Sequence, residues 1–495
     1  MNEYIECKMS TNYNFLRLDF NKRLNLFDVV GLTFFNFSRQ LYGLKQRFNT
    51  LRFTLTILLL SLTLGSFSQE VRDVTILNRW DGAWVDTNNS GVKYNEVWGF
   101  VKDGEEYAVM GSVNGTHFFH LTEDNGLFEV GFVAGNYQGN VVHRDYHDYN
   151  NYLYAVADQM PGTLQIIDLQ YLPDSVSKVY DSDTLINIAH NVFIDTSSAL
   201  MYACDPPGTG LKVYSLADPL DPILVYDNIA TLVDYVHDVY ARNDTAYLAS
   251  GNDGLWVYDF TNPSSPVNLG SITSYPEQGF NHSGWLSEDG KTYVMADETS
   301  GKKLKTVDVS DLSDIQIHSV FGTEWWENTV PHNVMLKDGL AYISYYNDGL
   351  QIYDVRDVNN PKQIAFYDTF DDDSEKLFQG AWGIYALLPS GKLLVSDRST
   401  GLYVFKYHVP PNIEGGHGIY PNPASDQAWF HREHAVNSEY RLQIISADGK
   451  LVDDLSGFND QLRIDLTNYR AGEYIYRYIN DVTGNVETGK FIRLK

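Results

Sequence analysis

Cysteine is nearly missing from this chain: Cys7 and Cys204 are the two in 495 residues. Cys7 falls in a stretch read below as a leader. The remainder therefore has no partner for an internal disulfide and no cysteine set for zinc, so its stability must come from a packed core. Positive charge is also scarce, with 36 Lys+Arg against 64 Asp+Glu and a net charge of −28. Binding to a phosphate backbone needs clustered cations, and no basic stripe is present, so a nucleic-acid partner is excluded. Catalytic signatures are missing too. There is no Gly-x-Ser-x-Gly elbow and no His-Glu-x-x-His. Gly290-Lys291-Thr292 ends like a phosphate loop, but the upstream Gly284 is one residue too far away, and Glu288–Lys291 reads as a hairpin turn. The chain has plenty of apolar and aromatic surface: 43% hydrophobic residues, 35 Tyr, 25 Phe and 9 Trp. That content rules out disorder and favours strands.

The one long uncharged apolar run is Phe53–Phe67, FTLTILLLSLTLGSF, preceded by Lys45, Arg47 and Arg52 and followed by small residues around Ser66 and Ser68. A basic flank, a short apolar core and a small-residue end describe an export signal. The run is short for a bilayer span, so no transmembrane span is expected in the mature protein. Residues 1–68 are read as an extended leader with its apolar core at 53–67, the long stretch before that core reflecting either an upstream start or an extended signal. The mature chain is expected to begin near Gln69.

The body is a repeat. A Trp or His followed by a small or polar residue recurs at Trp98, His147, His190, His237, His282, His332 and Trp382, at steps of 43 to 50 residues. This period means a propeller or a solenoid. Residues 236–273 show the grammar of one copy. Val236–Tyr240, Ala246–Ser250, Leu255–Asp259 and Val267–Ile272 alternate as strands, separated by Arg242-Asn243-Asp244, Asn252-Asp253-Gly254 and an Asn-Pro-Ser-Ser-Pro turn. Four short antiparallel strands with no helical period make a propeller blade.

The third strand is the fingerprint: LQIID at 164–168, LKVYS at 211–215, LWVYD at 255–259, LKTVD at 304–308, LQIYD at 350–354 and LYVFK at 402–406, with a degenerate THFFH at 116–120. These segments resemble the LVIVD repeat. Together with the leader and Val97-Trp98-Gly99-Phe100, the chain resembles secreted "choice-of-anchor B" proteins over roughly residues 70–408. The resemblance implies a surface-displayed propeller. The last copy has three strands before Pro410-Pro411, whereas residues 74–80, VTILNRW, look like a fourth strand without a blade. Strand 74–80 is expected to close the ring of a seven-bladed propeller spanning 69–408, since closure removes exposed edges.

Residues 409–419 read as a Pro/Gly linker, and 420–495 as a small C-terminal β-sandwich. Tyr420-Pro421-Asn422-Pro423, Asp448-Gly449-Lys450, Gly472-Glu473-Tyr474 and the basic end Lys490–Lys495 occur in the order of the type IX secretion sorting domain, which this segment resembles. The resemblance implies a Bacteroidetes-type source, handling by the type IX machinery, and a secreted or outer-surface location. The expected fold is thus all-β, a propeller followed by a sandwich.

His147, His190, His237, His282 and His332 recur with the repeat, so they are candidate ligands converging on one mouth of the channel. Neutral imidazoles there suit zinc or another borderline metal, with Asp148 and Asp238 as supporting carboxylates. The competing expectation is that these histidines brace loops, because Trp98 and Trp382 share their slot and bind no metal. Asp158, Asp205, Asp297, Asp397, Asn252 and Asn347, near the ends of second strands, read as hairpin residues. The closing Asp168, Asp259, Asp308 and Asp354 are expected to bond turn amides. Asp371-Asp372-Asp373 with Glu375 could attract calcium but lacks the alternating loop such a site needs, and reads as a solvated run.

Three functions fit. The preferred one is a non-catalytic surface binding module for an extracellular glycan, peptide or protein. The alternatives are a metal-dependent hydrolase or lyase on the histidine ring, and a structural adhesion component of the envelope.

Overall fold

The computed structural model describes residues 71–494, apart from 140, 205–209, 228–232, 234, 324–327, 371–377, 409–416, 421–423, 425–426, 433–439, 457–460 and 481–484. The expected export signal, Asp205 and the acidic run at 371–375 lie outside the described residues, as does most of the expected linker.

The fold is all-β. Among the described residues, the chain from Tyr94 to Tyr407 forms seven successive antiparallel sheets, each a meander in strand order. Their first strands are Tyr94–Lys102, Arg144–Tyr149, Asn191–Asp195, Asp238–Arg242, Asn281–Leu286, Pro331–Lys337 and Ala381–Tyr385. Each first strand packs against the next, and the last, Ala381–Tyr385, packs against the first, Tyr94–Lys102. The sheets therefore stand around a common axis in a propeller-like arrangement.

Local chemistry explains the repetition. In Leu255–Asp259 the leucine, valine and tyrosine are buried between sheets. The terminal aspartate then accepts a hydrogen bond from the amide two residues on: Gln170 to Asp168, Thr261 to Asp259, Ser310 to Asp308 and Arg356 to Asp354, at 2.7–3.0 Å. Ser215 makes the same turn with a longer bond, 3.4 Å from the Ala217 amide. A register shift recurs between third and fourth strands, at Phe118/Phe119, Val213/Tyr214, Val257/Tyr258, Thr306/Val307 and Ile352/Tyr353. Such a bulge increases the local twist.

The seventh sheet takes its outer strand from the N-terminal side of the domain. Val74–Trp80 pairs antiparallel with Gly401–Tyr407, with Val74 opposite Tyr407 and Trp80 opposite Leu402. Just before it, Val71–Arg72 adds a fifth strand to the sixth sheet, against Lys362–Tyr367.

The tail forms two further sheets. One contains His417–Tyr420, Gln427–Arg432 and Gln461–Asp465. The other runs in the order Leu451–Ser456, Tyr440–Ser446, Gly472–Asn480, Val486–Arg493. Phe430, Leu442, Ile444, Tyr476, Tyr478 and Phe491 share one core between them. The strand His417–Tyr420 begins inside the stretch read from sequence as linker.

Candidate functional site

The first strands run along the channel, so successive residues on each one build successive tiers of side chains. At the entrance end, His190 and His237 sit just ahead of their strands, their amides bonded to the Cys204 and Ala249 carbonyls at 2.7 and 2.8 Å. His282 and His332 occupy the matching place. Ring centroids are 4.2 Å apart for His190–His237, 4.4 Å for His237–His282 and 4.3 Å for His282–His332. Trp382 follows His332 at 4.6 Å. His143 stacks on His190 at 4.0 Å and meets Trp382 at 5.5 Å, closing a collar of six aromatic rings.

His147 is not in the collar. It lies one strand turn deeper, in a second aromatic tier with Trp98 (4.5 Å) and Phe193 (4.9 Å), continued by Tyr240, Trp285 and Tyr385. The expectation that His147 joins the other four is therefore corrected, and His143 takes its place. The two histidines stand four residues apart, His143 just ahead of the strand Arg144–Tyr149 and His147 within it. The signal for His143 was present in the spacing: it precedes His190 by 47 residues, the step that separates His190 from His237. Trp98 likewise belongs to the deeper tier, whereas Trp382 shares the collar.

The supporting groups also differ from expectation. Asp148 accepts a hydrogen bond from the Trp98 indole at 2.8 Å, away from the collar. Asp238 bonds the Val239 amide at 2.6 Å and lines the channel below. The carboxylates at the collar are Asp158, 3.0 Å from His190 Nδ1, and Glu298, 3.8 Å from His282 Nε2. Both follow the ends of second strands; sequence reasoning gave Asp158 hairpin duty and did not single out Glu298. The Tyr235 hydroxyl pairs with His237 Nδ1 at 2.7 Å, and His332 Nδ1 with the Trp382 carbonyl at 2.6 Å. His190, His237 and His332 thus each have one nitrogen hydrogen-bonded by an outer group, and His282 Nε2 has Glu298 nearby beyond hydrogen-bond distance.

Several polar atoms here are buried without a partner: His143 Nδ1, His237 Nε2, His282 Nδ1, Asp158 Oδ1, Trp382 Nε1 and Arg398 Nε. His143, His237 and His282 are 5–7% exposed, so these are orphans in the low-dielectric interior, where unpaired polar atoms are costly. Burial first, and then the neighbouring imidazoles, hold the three histidines well below the usual histidine range. Burial likewise brings His332 down to about 3, against the Trp382 carbonyl and with the help of Arg398. These imidazoles are neutral at pH 7. Burial raises Glu298, partly offset by the hydrogen bond donated by Tyr346 at 2.5 Å. The Arg398 guanidinium lies over Trp382 at 4.6 Å. Access is through His190, Asp158 and Glu298, whose side chains keep 18–20% of their surface open. Beside them Phe378 is 38% exposed and packs edge-on against Tyr346, with its own backbone at φ 60°, a conformation rare for an aromatic residue.

Below the collar, Glu96, Asp145, Asn191, Asp238, Ser283 and Asn333 surround a cavity with about 60 Å³ of room for water centres. That suffices for roughly four to six waters. Burial pushes Asp145 up to about 7 and Asp238 and Glu96 well above the carboxylate range, and the Asp145 charge pushes the latter two further. The channel interior therefore carries less charge than its composition suggests.

Two other hairpin candidates, Asp297 and Asp397, make structural contacts. Asp297 is fully buried against Lys305. Asp397 accepts from the Ser399 and Thr400 amides at 2.9 Å.

Comparison with known proteins adds the tail. The family described as the secretion system C-terminal sorting domain matches residues 418–493. The tail is a type IX sorting domain, which marks a secreted or outer-surface protein. No helix among the described residues is long and apolar enough to cross a membrane. No curated protein matches the chain. Solved structures with some likeness include a Lactobacillus plantarum protein (13% identity, TM-score 0.48, 75% of this chain and 100% of that one). The WD40 repeats of RRP9 are similar at 12% identity and TM-score 0.49, over 69% of this chain and 100% of theirs. PorZ, described as a surface component of the type IX secretion system of Porphyromonas gingivalis, has 12% identity and TM-score 0.38, over 79% of this chain and 64% of its own. None of these likenesses bears on function.

Proposed function

We propose that the chain is a secreted or surface-displayed, non-catalytic binding protein, a seven-bladed propeller of the LVIVD, "choice-of-anchor B" type. Its ligand face is the channel mouth around the histidine collar. In this reading residues 1–68 are removed on export, 69–408 form the ring with strand 74–80 closing it, and the tail hands the protein to the type IX machinery.

The observation that carries the binding reading is the collar itself. Aromatic rings and unpartnered polar atoms are gathered at one accessible opening, on a chain whose tail sends it outside the cell. Binding faces concentrate aromatic residues with a few placed polar groups. The exposed Phe378 beside Tyr346, held in an unfavourable backbone conformation, supplies an apolar contact at the same opening.

A second reading, a hydrolase or lyase, draws on Glu298. It is a carboxylate raised by burial and placed 3.8 Å from His282, a setting suited to general acid-base chemistry. Screening the secreted protein against glycan and peptide arrays tests both. The binding reading expects a retained, unmodified ligand whose affinity falls at least tenfold in Phe378→Ala. Turnover of a bound compound, abolished in Glu298→Gln, would replace it with the enzyme reading. Binding to cells or matrix that ignores Phe378→Ala and Asp158→Asn would move the ligand face elsewhere and favour an adhesin.

A further inference from the structure

We infer that the collar holds one borderline divalent transition metal, with His190, His237 and His282 as its protein ligands and Asp158, Tyr235 and Glu298 as the groups that orient them. This deepens the binding reading of the channel mouth and rests on it.

The geometry selects these three residues. One ring nitrogen from each lies within 4.8 Å of the other two. A tetrahedral zinc site with nitrogen ligands at about 2.1 Å needs them about 3.4 Å apart, so small side-chain rotations close the set. Two hydrogen bonds and one ion-pair approach also point to the donor atoms. Asp158 takes His190 Nδ1 and leaves Nε2. Tyr235 takes His237 Nδ1, and the remaining Nε2 is buried without a partner. Glu298 stands by His282 Nε2, and the remaining Nδ1 is likewise buried without a partner. Metal-bound histidines characteristically give their second nitrogen to a carboxylate, carbonyl or other outer group, which fixes ring orientation. Here His190 and His237 have that outer arrangement, Glu298 stands within ion-pair distance of His282, and the remaining nitrogens of His237 and His282 are buried without a protein partner.

Imidazole donors with no thiolate suit zinc, copper or nickel rather than calcium or magnesium, which take oxygen ligands. Three protein ligands leave a fourth position, and a donor atom from the extracellular ligand could occupy it. Two flanking sets, His143–Asp158–His190 and His282–Glu298–His332, also come within 4.8 Å. They share no residue with each other, so occupation of both would give two ions and leave His237 out. The central set is the all-imidazole one and gives a single ion.

The test uses the full chain, purified without a histidine tag, stripped with a chelator and titrated with Zn²⁺ by calorimetry and with Co²⁺ by absorption. The expected result is one equivalent of zinc and a visible Co²⁺ band of four-coordinate intensity. His237→Gln, which keeps a polar group near Tyr235, should weaken zinc binding at least 100-fold. Asp158→Asn and Tyr235→Phe should each weaken it about 10- to 100-fold by loosening ligand orientation. His147→Ala, in the deeper tier, should leave binding unchanged. Each variant is checked for an unaltered melting profile in chelator, so that lost binding is not lost folding. No bound metal in the wild type, two equivalents, or wild-type affinity in His237→Gln would each overturn the proposal. Failure here is separable from failure of the binding reading: a metal-free protein that still captures its array ligand refutes the metal alone. A zinc-loaded protein that captures nothing refutes the ligand face alone.

Discussion

Replacing Lys305 with methionine should destabilise the propeller more than any surface change. Lys305 and Asp297 are both 0% exposed, with Nζ 2.6 Å from Oδ2. Nζ also donates to the Glu277 and Lys303 carbonyls, each at 2.8 Å. Asp297 receives the Tyr275 hydroxyl at 2.9 Å and the Gly279 amide at 2.8 Å. Lys305→Met keeps much of the side-chain volume but leaves a buried carboxylate with two donors and no counter-charge. Removing one partner of such a pair costs about 3–5 kcal/mol. Each kcal/mol moves the melting midpoint by about 2–4 °C in domains of 150–250 residues and by about 1.4 °C in one of about 340, so a fall of about 4–7 °C is expected. The double variant Asp297→Asn/Lys305→Met removes the stranded charge; its amide oxygen in the Oδ2 place still accepts from the Gly279 amide, and its NH2 in the Oδ1 place donates to the Tyr275 hydroxyl oxygen. It should recover at least half of that loss. Differential scanning calorimetry of the three variants measures both effects. A Lys305→Met midpoint within about 1 °C of wild type, or a double variant no better than the single, would refute the account of this pair as mutually dependent.

Deleting residues 71–80 exposes the edge of Gly401–Tyr407 and removes a ladder of about six hydrogen bonds, a loss on the order of 5 kcal/mol. Size-exclusion chromatography should show oligomers, and a monomer as stable as wild type would contradict closure through this strand. Glu106 joins the first sheet to the seventh. Burial raises its pKa, but the Ser390 bonds and Lys392 outweigh burial and hold it below its ordinary 4.5. A depressed carboxylate pKa adds stability that is present above the unfolded value and lost as pH falls through the folded one. Glu106→Gln should therefore lower the melting midpoint at pH 7, by an offset that shrinks as pH falls below 4.5, and an offset that does not shrink in acid would contradict this. Deleting residues 418–493 should leave the protein cell-retained, as read by fractionation and immunoblotting, and undiminished release would separate the tail from export.

The repeat was legible in the amino-acid sequence because its causes are local. The first, third and fourth residues of LWVYD-type strands are buried between sheets, and an aspartate at the strand end bonds an amide two positions on. Neither depends on distant parts of the chain. The spare strand at 74–80 was legible for the same reason: its pattern calls for a partner that the three-stranded last copy lacks. The sorting tail declared itself through separated turn and strand motifs in order.

The site was only half legible. Periodicity put His190, His237, His282 and His332 at one level, because equal steps along a repeat mean equal heights around an axis. It could not choose between His143 and His147, which lie just before and within one strand and differ by four residues; only packing shows that one ring stacks on His190 and the other packs against Trp98. Nor could it choose the carboxylates. Asp148 and Asp238 are adjacent to repeat residues in the chain, but neighbouring residues of a strand point to opposite faces. Asp158 reaches the collar from the end of another strand, across the boundary between two sheets, and Glu298 comes from the residue after Asp297. Asp297 itself, a hairpin residue by position, turned inward to a lysine eight residues away. The sequence alone determined what each strand would be. Which side chains meet was decided by the closing of the ring, because contacts around an axis join residues that share a height and have no fixed distance along the chain.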